Sequence, residues 1–586
     1  MAVVAVTKKC ANDARKEAYM KLCIDGLPID AKPGQTLREL VIALGLDDQT
    51  LSGRPLAAKI AGEVFSLNYV PVRSLQNEQE RPSIRRAMAA SGGVVQLLRF
   101  HDLAGRDVYT RTVQFVLFLA IRNRWPKAEA KISSTFGSVL YVQVTGVEDF
   151  DFQELKEEIA SIVSKDIPLI RQRLSTQEAI ARYKALGQTD KARLLQYRTE
   201  SYFDVYAYED FIDYFYGELA PSTGYLQVWD VIPADNGFFF IYPDDDNPDR
   251  IGRYISMPQL MAVNKEGIRW CELMDCETVS DLNRLIETGK LRELVRVNEA
   301  LHEKRYAQIA DMVCQRGVRA VMLSGPSSSG KTTSANRLAT QLRVHGKTPI
   351  IISLDDYYRN REDILPQPDG TVDLEHINTI DTDLFAKHLQ ALLSGEPVEI
   401  PVFNFKTGKR EWKGRILQLS EKTVIIVEGL HALNPQLLPK GLDNSLVFKM
   451  YVCPLLPLNL DDHNRILSSY LRLLRRIVRD YENRGSSVEQ TLSMWSSVRR
   501  GEKRWIQPFQ ESADVIFNSA TLYELSVLKH HVFPLLTAVP PEESCYEQVR
   551  AIVKVLNYVL ATDVDDEIPP TSLVREFIGG NTFYRE

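Results

Sequence analysis

Hydrophobic and polar positions change rhythm along this chain of 586 residues. From Tyr19 to Ile24 they alternate as on a half-buried strand. Asp25-Gly26 is a hairpin turn signal, and Leu27 to Ala31 is the expected partner strand. Pro28 has no N–H to donate, so that strand should begin there or lie at a sheet edge. Thr36 and Glu39 have the spacing of a capping box and predict a short helix, and Ala57 to Tyr69 predicts further strands. A polar stretch over 76–82 reads as a linker or exposed loop. Beyond it, Arg111 to Arg124 has helical length and spacing and is closed by Trp125-Pro126. Residues 152–165 and 175–196 also predict helices, and the Tyr- and Phe-rich stretch over 202–242 predicts strands and turns. Aromatic density of that kind is ordinary core and by itself defines no ligand box.

From about residue 291 short apolar runs alternate with helical segments. The runs are Val318–Leu323, Pro349–Leu354, Val424–Val427, Leu446–Val452 and Val515–Phe517. Continuous apolar strands separated by helices predict a buried parallel sheet covered on both faces. The fold class expected is therefore multidomain α/β and α+β. Its parts are a ragged leader over 1–18, a small α+β unit over 19–82, a second α+β region over 83–290, a parallel-sheet domain over 291–525 and a largely helical extension over 526–586.

Composition narrows the partners. The net charge of −6 argues against bulk electrostatic binding of nucleic acid and leaves room only for a local basic patch. The seven cysteines are scattered, with Cys271 and Cys276 nearest one another, and no pair matches a second pair at metal-site spacing. They predict reduced thiols in a cytoplasmic protein. No apolar run reaches the roughly eighteen residues of a membrane span, and the start lacks the apolar centre of a secretory signal.

The chemistry concentrates in the parallel-sheet region. Gly325-Pro326-Ser327-Ser328-Ser329-Gly330-Lys331-Thr332 lies between an expected strand and an expected helix, the context a phosphate-binding loop requires. Its glycines let backbone N–H groups converge on an anion, and the helix adds its positive end. Lys331 would reach the outer phosphates of ATP, and the Thr332 hydroxyl would be a Mg²⁺ ligand. The strand ending at Glu428 would deliver a carboxylate toward the same metal, unless Glu428 is only a solvated strand end. A further apolar strand runs into Asp355-Asp356. One of these could accept the proton of an attacking hydroxyl while the other caps the next segment, and a plain Asp-Asp turn is the alternative. Phe403 and Phe405, at strand spacing, could stack on a flat ring or simply pack in the core. Asp461 to Asn483 predicts one helix ending at Gly485, with Leu467, Leu471, Leu474 and Val478 on one face. Arg472, Arg475, Arg476 and Arg479 form another face, either a charge clamp for a moving phosphoryl group or a solvated surface balanced by Asp480 and Glu482.

These pieces, in this order, resemble the uridine kinase and phosphoribulokinase family over about 300–525. The matching stretches are GPSSSGKTT at 325–333, SLDDYY at 353–358, DLEHINTID at 373–381, PVFNF at 401–405, VEG at 427–429, RRIVRDYENRG at 475–485 and ADVIFNS at 513–519. The resemblance implies ATP and Mg²⁺ as cofactors, with the phosphate loop extended through Thr333. It implies Asp355 as the catalytic carboxylate, Tyr358 beside a nucleoside and Glu375 on the ribose hydroxyls. It further implies Phe403 and Phe405 around the base and Glu428 at the metal. Arg476 and Arg479 fall at lid and substrate positions, and Arg484 at a further lid position. Three positions depart from the family: a base-reading His becomes Gly408, a lid Arg becomes Ser486, and a pyrimidine-reading Gln becomes Met494. The departures bear on the acceptor more than on phosphoryl transfer.

Residues 19–80 resemble a TGS domain, a ubiquitin-like β-grasp module, and 100–242 resemble the editing-type domain of threonyl-tRNA synthetases, most clearly over Asp213 to Gly224. The metal-like cluster of that domain falls here on Arg111, Phe115, Phe215 and Leu219, so the resemblance implies neither metal nor aminoacyl-tRNA hydrolysis. The expected function is ATP-dependent phosphorylation of a small-molecule hydroxyl, a nucleoside 5′-hydroxyl first, another sugar or polyol second. An ATP-dependent regulator contacting RNA through the front modules is the alternative of a different class. A homo-oligomer is compatible with all three.

Overall fold

The structure is a computed structural model that describes residues 20–71, 92–364, 373 and 375–584. The expected leader and the polar stretch over 76–82 lie outside these residues. The chain divides into two compact units, one of residues 1–131, 136–175 and 202–254, the other of 132–135, 176–201 and 255–586.

In the first unit, β1 (Met20–Ile24) and β2 (Leu27–Ala31) form the expected hairpin, turning through Asp25 and Gly26, both at positive φ. With β3 (Ala57–Ile60), β4 (Glu63–Ser66) and β5 (Val94–Leu98) they make a sheet of order β2-β1-β5-β3-β4. Pro28 therefore lies on an edge strand. The central strand, β5, runs parallel to β1 and comes from beyond residue 82. Helix α1 (Leu37–Ala43) starts at Thr36, whose Oγ1 accepts from the Glu39 N–H while Glu39 accepts from the Thr36 N–H. It buries Leu37, Leu40 and Val41 against Leu22, Ile24, Ile60 and Val95.

Helix α2 (Leu103–Arg124) begins earlier than the expected Arg111, because Gly105, Val108 and Tyr109 continue the buried face that Thr112 belongs to. Next along the chain come β6 (Glu129–Phe136), whose residues 132–135 belong to the second unit, β7 (Val139–Thr145), α3 (Phe152–Ser164) and β8 (Arg171–Ser175). The helix expected over 175–196 is two, α4 (Thr176–Ala185) and α5 (Thr189–Leu194), broken at Gly187, where φ is +76°. Both belong to the second unit. Strands β9 (Tyr202–Tyr208) and β10 (Phe211–Asp213) complete a β10-β9-β8 sheet, and β11 (Asp230–Ala234) and β12 (Gly237–Ile241) an antiparallel β11-β12-β7-β6 sheet. Phe115 and Phe215 meet edge to face at 6.5 Å, Arg111 donates to the Glu218 carbonyl, and Leu219 is buried.

The second unit opens with α6 (Pro258–Leu273), α7 (Val279–Glu287) and α8 (Leu291–Gln315). It is built on β13 (Ala320–Ser324), α9 (Lys331–Val344), β14 (Thr348–Ser353) and α10 (Thr382–Leu393). Two small ribbons follow, from β15 (Val398–Glu399), β16 (Val402–Asn404), β17 (Lys409–Glu411) and β18 (Ile416–Leu417). Then come β19 (Thr423–Glu428), β20 (Val447–Cys453), α11 (Ser468–Arg484), α12 (Val488–Trp505), β21 (Val515–Asn518), α13 (Glu524–Thr537), α14 (Tyr546–Leu556) and α15 (Arg575–Ile578). All five expected apolar runs join one sheet of order β14-β19-β13-β20-β21, parallel throughout. Every residue of β13 and β19 is buried, which is why these strands read as unbroken apolar runs. The chain leaves β13 toward one edge and later returns to its other side at β20, so the end of β13 is a switch point where open α/β sheets bind ligands. The last sixty residues are less helical than expected: between α14 and α15 the backbone is irregular apart from a short turn of 3₁₀ helix over Asp565–Glu567.

Helix α11 starts at Ser468, not Asp461, and Leu467 is half-exposed while Leu471, Leu474 and Val478 are buried. Its arginine face is not solvated. Arg472 pairs with Glu502 on α12, and Arg475, wholly buried, pairs with Glu524 at the start of α13 at 2.7 Å. Leaving either charge alone in the interior should cost about 3–5 kcal/mol. Glu524→Gln is thus expected to lower the urea midpoint of the second unit strongly. The double variant Arg475→Met/Glu524→Leu should recover most of the loss in the same denaturation series.

Candidate active site

The phosphate loop leaves the buried end of β13. Gly325 passes so close to β20 that a Cβ there would lie 2.2 Å from the Val452 carbonyl oxygen. Ser328 adopts φ +58° and Gly330 φ +88°, curling the chain before α9 begins at Lys331. The first N–H groups of a helix have no intrahelical partner, so they face the loop as anion donors. Ser328 and Ser329 keep buried hydroxyls without a hydrogen-bond partner among the described residues. Lys331 donates to the Pro326 carbonyl at 3.1 Å, and Thr332 sits half-buried beside it.

Several carboxylates lie within electrostatic range of this ammonium, Asp355, Glu428 and Glu375 among them. Asp355 follows β14, its N–H donating to Ser353 Oγ. Glu428 ends β19, the strand between β14 and β13, and accepts from Ser353 Oγ at 2.8 Å. Burial pushes both carboxyls up, Glu428 to about 7; Asp355 adds to the rise of Glu428 and Asp356 to that of Asp355, while Lys331 works in the opposite sense on both. Burial also lowers Lys331, with Glu428 and Asp355 opposing that. Among the described residues no group of three or more His, Cys, Asp or Glu side chains is arranged to hold a metal ion, so Glu428 and the Thr332 hydroxyl offer hard oxygen donors of the kind magnesium takes without a closed ligand set. Asp356 points elsewhere and accepts from the Phe403 N–H at 3.3 Å, so the two adjacent aspartates are in different surroundings.

The third carboxylate, Glu375, has a buried Oε2 without a partner among the described residues, and burial raises it to about 7, with Glu502 adding to the rise. It lies within electrostatic range of Arg476, Lys331 and Asp355. Arg476 donates to Asp480 and to Ser327 Oγ at 3.0 Å, and Arg479 donates to Asp480. Arg484 is more exposed and 3.5 Å from the same carboxylate. Arg479 and Arg484 both act on Asp355. Arg472 and Arg475 serve a different end, holding the loop from behind by donating to the carbonyls of Ser327 and Ser328.

An aromatic corner adjoins the carboxylates. Tyr358 lies 5.5 Å from Phe403 and 6.3 Å from Phe405, and the two phenylalanines meet edge to face at 5.1 Å. Phe403 is buried on β16, whereas Phe405 has left the strand and is mostly exposed. Gly408 is covered by the side chain of Arg361, whose guanidinium donates to the Phe405 carbonyl. Met494 is half-exposed on α12.

The structure brings in three residues that sequence pattern did not single out. His431, three residues past Glu428, is buried, its Nδ1 without a hydrogen-bond partner among the described residues, and is held near 4 by burial. Its nearness to Glu428 in the chain was a usable signal. Glu502 accepts from the Ser327 N–H at 2.9 Å, and Glu576 accepts from Thr333. Nothing local in the sequence marks either one.

A parallel sheet whose switch point carries a phosphate loop, with carboxylates arriving from the neighbouring strands, defines a P-loop kinase domain. Residues 320–526 match the phosphoribulokinase / uridine kinase family. The uridine kinase of Brevibacillus brevis is 31% identical over 195 residues, which are 33% of this chain and 81% of that protein. The uridine kinase of Ligilactobacillus salivarius is 30% identical over 33% of this chain and 82% of its own length. Among solved structures, a D-glycerate 3-kinase from Cryptococcus neoformans is 16% identical with a TM-score of 0.27, covering 36% of this chain and 95% of that one. The chain belongs to the phosphoribulokinase and uridine kinase family through this one region, and the relatives leave about two thirds of it unmatched. No helix among the described residues is long and apolar enough to cross a membrane.

The raised Glu375 gives a pH signature. Its carboxyl is held near 7 in the folded protein against an ordinary value of 4.5, so the folded state keeps the proton that the unfolded chain loses. Stability from this group is full below pH 4.5 and is lost as pH rises through 7. Wild type minus Glu375→Gln should shift by about 2 kcal/mol between those limits, after allowance for partial exposure. Paired urea titrations at pH 5 and pH 8 check the sign.

Proposed function

We propose that the second unit transfers the terminal phosphoryl group of ATP to a hydroxyl of a small molecule, in the first instance the 5′-hydroxyl of a nucleoside. One observation carries this: Asp355, just past β14, and the buried Glu428, at the end of the parallel β19, both act on Lys331 at the start of α9, with aromatic rings alongside. The loop from Gly325 to Thr333 would take the phosphates. Thr332 and Glu428 would hold Mg²⁺, which when bound supplies charge neutralisation between phosphate oxygens. Asp355, acting as an ionised carboxylate, would accept a hydrogen bond from the acceptor hydroxyl and then its proton as the new O–P bond forms. Lys331, Arg476 and Arg479 would balance charge on the moving group, with Arg484 closing from the end of α11. Tyr358, Phe403 and Phe405 would sandwich the base, and the unpartnered oxygen of Glu375 would take sugar hydroxyls.

Gly408 and Met494 stand where uridine kinase-like proteins read a pyrimidine, and Arg361 covers Gly408. That guanidinium beside the aromatic corner favours, as a second reading, a sugar or polyol acceptor carrying an anionic group. For the front of the chain, the β2-β1-β5-β3-β4 order with one helix supports a β-grasp module, and 100–242 are read as an editing-like module without its metal ligands. RNA contact through these modules and a cytoplasmic location belong to the same proposal.

Turnover measured as ADP release over a panel of nucleosides, sugars and sugar phosphates tests it. ADP formation should require one acceptor class, and Asp355→Asn should cut kcat by about 10²–10⁴-fold while ATP binding persists. Acceptor-independent ATPase that Asp355→Asn leaves intact would overturn phosphoryl transfer to a hydroxyl.

A further inference from the structure

The segment after Pro569 reaches the phosphate loop. Glu576 Oε2 accepts from the Thr333 N–H at 3.2 Å and from Thr333 Oγ1 at 2.7 Å. Asn581 donates to the same hydroxyl at 3.4 Å. Leu573 lies against Gly330 so tightly that a Cβ on the glycine would meet three of its carbons within 2.7 Å. The segment is anchored: Ser572 donates to Glu299 on α8, and the buried Phe577 ring lies 4.9 Å below the Arg475 guanidinium. Glu576 is also close enough to act electrostatically on Lys331 and Glu428.

Thr333 is the third residue of α9, and its N–H is one of the first-turn donors that cradle nucleotide phosphates. A carboxylate with two hydrogen bonds from that residue is an anion in a phosphate position. A phosphate oxygen cannot take the same donors while Glu576 keeps them, and the two negative charges would repel. We propose that Glu576 is an internal counter-anion in the phosphate seat, so that the segment over 569–584 must release Thr333 before a nucleoside triphosphate can settle. This rests on the nucleotide-binding assignment above and adds a control on it. The packing of Leu573 and Phe577 sets how readily the segment lifts. A segment seated nine-tenths of the time reduces apparent nucleotide affinity about tenfold.

Titration calorimetry of ATP with Mg²⁺ into the full chain tests the proposal, alongside hydrogen exchange of the peptide covering 573–580. Glu576→Gln keeps the shape and removes the charge, and should lower the Kd for ATP about tenfold. Leu573→Ala loosens the seat without touching the charge and should shift the Kd in the same direction. ATP should speed exchange across 573–580 in the wild type. If wild type binds ATP and neither variant binds it more tightly, Glu576 is only a helix cap and the proposal is overturned. Unchanged exchange on ATP saturation overturns it as well. If wild type and both variants unfold cooperatively yet bind no ATP, the nucleotide assignment itself falls, and the proposal with it.

Discussion

The ion pair between Arg475 and Glu524, sealed from water, ties the phosphate loop to the rest of the second unit. Arg475 reaches from α11 to the start of α13, to the Ser519 carbonyl after β21 and to the Ser328 carbonyl inside the loop. One residue pair thus fixes the loop against two elements on the far side of the sheet. The neighbouring Arg472 and Glu502 repeat the device at Ser327. Such pairs are weak contributors to net stability, because desolvation consumes most of their attraction. Their worth here is positional: guanidinium forks have fixed geometry, and a loop that must hold its N–H groups open cannot rely on its own packing.

A second constraint works against the first. Asp355 just past β14, Glu428 at the end of β19 and the Glu375 side chain lie within electrostatic range of one half-buried ammonium, and burial raises all three. A folded protein tolerates this only where something else meets the charge. A cation and the donors of an incoming substrate would both do so, which is why strained ionisation of this kind concentrates at functional sites. The arrangement is preorganised in the useful sense: Ser353 holds the Glu428 carboxylate and the Asp355 backbone N–H before any ligand arrives.

Much of this was legible in the sequence. The five apolar runs of the parallel sheet, the turn at Asp25-Gly26, the Thr36 cap and the Gly485 stop are local signals, and each appears where residue chemistry puts it. The start of α11 was misread because the polar run from Asp461 to Asn464 resembles a helix opening. In the structure those residues form a closed loop, with Asp461 accepting from the His463 and Asn464 N–H groups. The central strand β5 lay past a polar stretch that looked like a boundary, since parallel pairing with β1 leaves no local trace. The arginine face looked like one device and is two, because which guanidinium is neutralised depends on Glu502 and Glu524, far away in sequence. Glu576 lies 243 residues from its partner, beyond the reach of pattern or spacing.

That separation has a bearing on how the protein is made. A ribosome finishes Thr333 long before Glu576, and at about 5–20 residues per second the interval across 243 residues is roughly 10–50 seconds. The sheet itself is complete only once β21 has been made, so the anion seat stands without Glu576 only over the much shorter stretch from Asn518 to Glu576. On the proposal made for Glu576, its segment reaches the seat after the strands are in place, so the domain would admit anions differently before and after that segment is made.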